Sequence, residues 1–97
     1  MRFEWDPNKN EINKRKHKVS FEEAVTVFYD EDAIIFDDPD HSDAAEERFL
    51  LLGFSSKSRM LIVCHCFRED NKRIRIISAR KATTEEQTVY DEFKRGW

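Results

Sequence analysis

Hydrophobic and polar positions alternate most clearly toward the C-terminal end of the chain. From Arg73 to Lys81, strict pleat alternation places Arg73, Arg75, Ile77, Ala79 and Lys81 on one face and Ile74, Ile76, Ser78 and Arg80 on the other. Both faces then mix apolar and cationic groups. An arginine that shares a face with two isoleucines is costly to bury without an anionic partner. Arg80 is therefore either a paired structural residue at a strand end or a group that binds a ligand. The strand runs directly into a helix start. Thr83 with Glu86 three residues later fits a capping box, and Val89, Phe93 and Trp97, with Tyr90 beside them, form the apolar stripe of a C-terminal helix.

Upstream, Glu47 to Phe54 and Arg59 to Phe67 are two further strands, and with Arg73 to Ala82 they form a meander joined by Ser-Ser-Lys-Ser and Glu-Asp-Asn-Lys turns. The middle strand puts Met60, Ile62, Cys64, Cys66 and Arg68 on one face and Leu61, Val63, His65 and Phe67 on the other. Both faces are largely apolar, as a central strand requires. Arg68 at its exit and Arg73 at the next entry gather guanidinium groups at one hairpin.

Residues 2 to 5 alternate as a short strand, after which Asp6 and Pro7 supply an N-cap and a first-turn proline for a helix from Pro7 to His17. Ile12 is its only large apolar residue; Lys9, Lys14, Arg15 and Lys16, followed by Lys18, make it either a solvated outer face or a cationic platform for phosphates. Ser20 and Glu23 suggest a second capping box, with Val19 and Ala24 as a staple. A helix from Phe21 to Phe28 then turns Phe21, Ala24, Val25 and Phe28 toward a sheet. Ala33 to Phe36 is a short strand. Asp37 to Glu46, including His41, is an exposed acidic loop without calcium-loop spacing.

Ninety-seven residues suit one domain, expected to span 1–97. The net charge of −3 conceals an asymmetry: residues 30–47 hold nine acids and no Lys or Arg, while elsewhere 17 basic residues face 11 acidic ones. A cationic surface beside an acidic segment suits an anionic ligand or a charged protein partner. No apolar run approaches bilayer length and the N-terminus lacks a signal-peptide block, so a cytoplasmic protein is expected. Cys64 and Cys66 share a strand face and read as reduced thiols. His65 falls on the opposite face, and no second ligand pair occurs, so no metal and no cofactor is expected.

Taken together, Phe3-Glu4-Trp5-Asp6-Pro7, Asn13, Lys16-His17, Val19-Ser20-Phe21-Glu22-Glu23-Ala24, Glu47-Arg48, Gly53, Arg75-Ile76-Ile77-Ser78-Ala79-Arg80-Lys81-Ala82-Thr83 and Tyr90 resemble the BrnT family of bacterial toxins, from Phe3 to about Phe93. The resemblance implies an α+β, RelE-like fold: an N-terminal strand and two helices, an antiparallel meander and a C-terminal helix. It also implies a metal-independent endoribonuclease of a type II toxin–antitoxin pair that cleaves mRNA, on or off the ribosome, until a BrnA-type ribbon-helix-helix antitoxin neutralises it. On that basis His17, Arg68, Arg80 and Tyr90 are the expected catalytic residues, and Lys14, Lys16, Arg73, Arg75 and Lys81 the expected RNA contacts. Metal-free cleavage needs a proton carrier, for which histidine suits, and cations at the phosphate, where arginine grips two oxygens at once. One position departs from the family pattern. Lys18 stands where glycine usually follows the Lys-His pair, so a left-handed turn there carries strain.

Other functional classes remain compatible with these residues. A non-catalytic module that receives an acidic partner in an autoregulatory complex needs the same cationic face, and homodimer contacts have room on the polar first helix and at Trp97. His65 is an alternative proton carrier, or a satisfied core histidine.

Overall fold

The structure, a computed structural model, describes residues 1–40, 42 and 46–96. The expected places of His41 and Trp97 lie outside those residues. In chain order the elements are β1 (Arg2–Glu4), α1 (Pro7–His17), α2 (Phe21–Thr26), β2 (Ile34–Asp37), β3 (Phe49–Phe54), β4 (Met60–Arg68), β5 (Arg73–Lys81) and α3 (Thr84–Lys94). A 3-10 turn, Val27–Tyr29, completes the stretch expected as the end of α2. The strands form a sheet in the order β1-β5-β4-β3-β2. From β3 to β5 it is the expected antiparallel meander; β2 extends it by pairing antiparallel with β3, and β1 joins β5 in parallel, which makes the sheet mixed.

The pairing of β4 with β5 corrects the strict alternation. Cys64 faces Ser78 but His65 faces Ile76, so Ile77 is an extra residue, a β-bulge. Facing residues share a side of the sheet. Ile62 faces Arg80, Cys66 faces Arg75 and Arg68 faces Arg73. Arg80 and Ser78 therefore lie on the face of Arg73 and Arg75, and Ala79 joins Ile74 and Ile76 beneath the helices. That second face carries the larger core, in which Val19, Phe21, Ala24 and Val27 pack on Leu51, Leu61, Val63 and Ile76. Tyr90 from α3 covers one end of the arginine face, on Leu52, Ile62 and Ala82.

α1 docks through amides rather than apolar side chains. Ile12 is 52% exposed, while Asn10 and Asn13 are buried. Asn13 Nδ2 donates to the carbonyls of Val19 and Ala79, each at 2.8 Å, and its Oδ1 accepts from the Ala79 N–H at 3.1 Å. β1 pairs only with Arg73 to Arg75, so Asn13 supplies at Ala79 the edge partner that a longer strand would have provided. Asn10 likewise accepts from Phe21 N–H and donates to Glu22. α1 ends at Lys18, which takes the left-handed conformation (φ 61°, ψ 30°) and donates its N–H to Lys14 C=O. The turn expected of a glycine is thus made by lysine.

At α2 only half of the expected capping box forms. Ser20 Oγ accepts from Glu23 N–H, but the Glu23 carboxylate, 4% exposed, accepts instead from Ser55 Oγ at 2.6 Å and from both Nε and Nη2 of Arg59. Those bonds hold Glu23 below the usual carboxylate range, against the effect of burial. At α3 the box is complete in both directions. The stripe of α3 is shifted, however: Tyr90 is its buried residue and Phe93 is 62% exposed. Gly53 allows the 3-10 turn to sit close, since a Cβ there would lie 2.9 Å from both Asp30 Oδ2 and Ala33 Cβ.

Candidate functional site

On the arginine face, beside α3, a cavity of about 280 Å³ opens. Its floor crosses the sheet from Ser78 and Arg80 on β5, through Cys64 and Ile62 on β4, to Leu50 on β3. Ile77 of the bulge and Ala79 complete the β5 side. His17 closes one wall. It follows Asn13 by one helical turn, so the amide bonds to Ala79 set it at the edge of β5. Arg48, at the entry to β3, and Asp38, just past the end of β2, form the opposite side.

Arg80 lies against α3. Its Nη1 and Nη2 donate to Glu86 Oε1 and Oε2 at 2.8 and 2.9 Å, and Nη1 also donates to Lys81 C=O at 3.3 Å. The guanidinium beside Glu86 holds that carboxyl down at about 2, so it stays ionised and Arg80 stays oriented. Five N–H groups are available on a guanidinium. Nε–H and the second Nη2–H of Arg80 have no hydrogen bond among the described residues, and together they form the side edge of the fork. Arg48 uses Nε on Glu46 Oε1 at 3.0 Å, which leaves its two Nη groups without hydrogen bonds among the described residues. Burial, with the charge of Asp38, pushes the Cys64 thiol up to about 11. Cys64 is therefore a neutral donor, with Sγ 3.7 Å from Asp38 Oδ2.

The expected catalytic residues divide between places. His17 and Arg80 line this cavity. Arg68 shares the face but lines a neighbouring cavity with Glu47, Phe49, Phe67 and Asn71, and is 3.1 Å from Glu46 Oε2. Glu46 thus links Arg68 to Arg48. Tyr90 lines neither cavity. It is 1% exposed and its hydroxyl donates to Asp30 Oδ2 at 2.8 Å.

Of the expected RNA contacts, Arg73 and Arg75 meet Glu4 at 2.9 and 2.8 Å, and Arg73 also meets Glu69. Lys14 pairs with Glu11 at 2.7 Å, and Lys16 and Lys81 are exposed. His65 is fully buried under the helices against the rings of Phe28, Phe49 and Phe67. Its Nδ1 lies 3.1 Å from Val63 C=O, and Nε2 has no partner among the described residues. The described residues contain no group of three or more His, Cys, Asp or Glu side chains placed to hold a metal ion.

Arg48 and Asp38 are the cavity residues that pattern reading missed. In sequence, Glu47-Arg48 shows only the family resemblance, and Asp38 is one acid among many in an acidic run expected to be an exposed loop. The β2–β3 pairing, with Asp38 N–H donating to Arg48 C=O at 3.0 Å, brings both to the side of the cavity opposite His17.

A family model described as ribonuclease toxin, BrnT, of type II toxin-antitoxin system matches residues 5–86. Among solved structures, the chain is similar to the 1.1 Å crystal structure of the Brucella abortus ribonuclease toxin BrnT. The two share 21% identity and a TM-score of 0.64, over 87% of this chain and 99% of that one. At that identity the likeness speaks for the fold. No curated protein matches the chain.

Proposed function

Because this chain belongs to the BrnT family of ribonuclease toxins of type II toxin-antitoxin systems, we propose that the cavity between His17, Arg48 and Arg80 is a metal-independent endoribonuclease centre that cleaves mRNA in the cytoplasm. The observation that carries this reading is the convergence of two guanidinium groups, each with donors to spare, on one cavity with an imidazole. Cleavage by the neighbouring ribose hydroxyl builds negative charge on the two non-bridging phosphate oxygens, and fixed cations lower that barrier. Arg80, held by Glu86, presents the side edge of its fork, and Arg48 presents its Nη pair; each can donate to one phosphate oxygen or grip two. His17 carries a proton to or from the reacting oxygens.

In this reading Arg68, which lines the neighbouring cavity, holds the phosphate of a flanking nucleotide, and Lys14, Lys16 and Lys81 supply field and on-rate. Arg73, Arg75 and Tyr90 hold the scaffold. The antitoxin is of the BrnA type, a ribbon-helix-helix protein that covers the same cationic face.

The test is cleavage of a single-stranded RNA by the purified chain in excess EDTA, comparing wild type with Arg80→Ala and Arg80→Lys at matched folded fraction. Arg80→Ala should lose about 10²- to 10³-fold in kcat, the order of one fixed charge-stabilising donor. Arg80→Lys, which keeps charge but not the fork, should recover only part of it. Wild-type rates in Arg80→Ala would remove Arg80 from the centre. Loss of wild-type cleavage on adding EDTA would remove the metal-independent reading.

A further inference from the structure

We propose that Asp38 is the second proton-transfer group of this centre, the base that takes the proton of the ribose 2′-hydroxyl; this rests on the ribonuclease reading above. The backbone of Asp38 is tied on both sides. Its N–H donates to Arg48 C=O at 3.0 Å and its C=O accepts from Ser42 Oγ at 2.8 Å, so the residue continues the last rung of the β2–β3 ladder. It is 6% exposed, yet it lines the cavity rather than the core. Cys64 Sγ lies 3.7 Å from Oδ2, and Ser78 stands opposite Cys64 on β5. A row of polar groups, Asp38, Cys64 and Ser78, thus crosses the cavity floor toward the wall made by His17.

The sign of its charge argues for chemistry. A carboxylate opposes the charge of RNA, so Asp38 weakens rather than aids the binding of a phosphate; what it adds to a cationic cavity is a proton acceptor. A single histidine cannot both remove the 2′-hydroxyl proton and protonate the departing oxygen in one step, and a carboxylate across the phosphate completes the pair. The step balances. The 2′-O–H proton passes to Asp38, and the oxygen's electron pair forms the bond to phosphorus. The bond from phosphorus to the 5′-oxygen breaks, and that oxygen takes the proton of imidazolium His17. The products are a 2′,3′-cyclic phosphate and a 5′-hydroxyl, with Arg48 and Arg80 on the non-bridging oxygens. Among the described residues, the groups that line the cavity with Asp38 include the Cys64 thiol from β4 and Arg48 from the entry to β3, with Arg80 from β5 and His17 from α1 across it.

Asp38→Asn and Asp38→Glu test this in a cleavage assay on one RNA oligonucleotide, with kcat and KM measured across pH and folding checked by thermal melts. Asp38→Asn should lower kcat by about 10²- to 10⁴-fold at little-changed KM, and the acidic limb of its pH–kcat profile should disappear. Asp38→Glu should restore that limb at reduced kcat, because the added methylene displaces the acceptor. If Asp38→Asn fails to fold, Asp38→Glu decides, since a wild-type rate and profile there overturns the assignment. A folded Asp38→Asn that keeps the wild-type limb, or loses activity only in step with its folded fraction, overturns it as well. Failure of the wild-type chain to cleave overturns the ribonuclease reading itself, and is visible before any variant is compared.

Discussion

Tyr90→Phe separates the two roles open to this residue, proton donor at the cavity or strut between α3 and the sheet. The change removes one hydrogen bond, from the phenol to Asp30 Oδ2 at 2.8 Å, and leaves the ring in its edge contact with Phe54. A hydrogen bond to a charged group contributes about 1.5–3 kcal/mol. Asp30 is not orphaned by the change, since the N–H groups of Phe54 and Asp32 still reach its carboxylate at 2.8 and 3.0 Å, which points to the lower end of that range. For a chain of this size, each kcal/mol shifts Tm by about 4–8 °C, so a fall of about 7–15 °C is expected. Burial, reinforced by the charge of Asp30, also pushes the Tyr90 hydroxyl well above its ordinary value, which makes it a poor proton donor near neutrality. The kcat for RNA cleavage, measured well below both melting temperatures, should therefore stay near wild type. An unchanged Tm with a kcat reduced a hundredfold would refute this reasoning and return Tyr90 to the reaction.

Two further changes test the frame around the site. Lys18→Gly should stabilise the chain by about 1 kcal/mol, because the left-handed backbone at Lys18 costs about that much for a residue with a Cβ. The Arg59 bond to the Lys18 carbonyl survives the change. A thermal melt that moves down would show that the Lys18 side chain, 3.1 Å from Arg15 C=O, matters more than the turn. His65 makes stability depend on pH. Burial lowers its pKa in the folded chain, whereas an unfolded histidine titrates near about 6.5, so the unfolded state binds more protons below that pH. Stability should be level from this group above about pH 6.5 and fall as pH drops below it toward the folded-state value. Urea midpoints at pH 7.5 and 5.5 for wild type and His65→Phe measure the effect, and equal pH differences in the two proteins would sink it.

Much of the fold was legible because its signals are local. Asp6-Pro7 starts α1 where a cap and a first-turn proline must, Thr83 and Glu86 close their box within one turn, and β4 is apolar on both faces because it is central. What escaped was set by partners distant in sequence. Periodicity sees only apolar stripes, so it could not show that α1 docks through Asn10 and Asn13 while Ile12 faces outward. Ser20 and Glu23 carry the sequence of a capping box, yet Arg59, 36 residues away, takes the carboxylate, since a charged two-donor grip on a buried carboxylate outweighs a bond to one backbone N–H. Asp38 is chemically identical to its acidic neighbours. Its N–H bond to Arg48 C=O, at 3.0 Å, is what carries it to the cavity.

Arg80 shows why the site is not written in local sequence. Alternation counted from Arg73 sends Arg80 to the helix-covered face, where its charge would have been buried among Ile74 and Ile76; one extra residue, Ile77, reverses that parity. No propensity marks Ile77, because a β-branched residue is as acceptable in a bulge as in a ladder, and the shift follows from how β4 and β5 must align to keep both cores closed. The reversal also joins two signals that looked separate. The capping glutamate of α3 and the arginine of β5 are partners, and Glu86 serves both: Oε1 accepts from Thr83 N–H and from Arg80, and Oε2 accepts from Arg80. A carboxylate held at about 2 stays ionised at any physiological pH, so on the reading proposed above Arg80 meets its ligand already oriented. The entropy of fixing its long side chain is then spent on folding rather than on each binding event. The same pairing sets what an anion must do there: approach the side edge of the guanidinium that Glu86 leaves open, from within the cavity that His17, Arg48 and Asp38 surround.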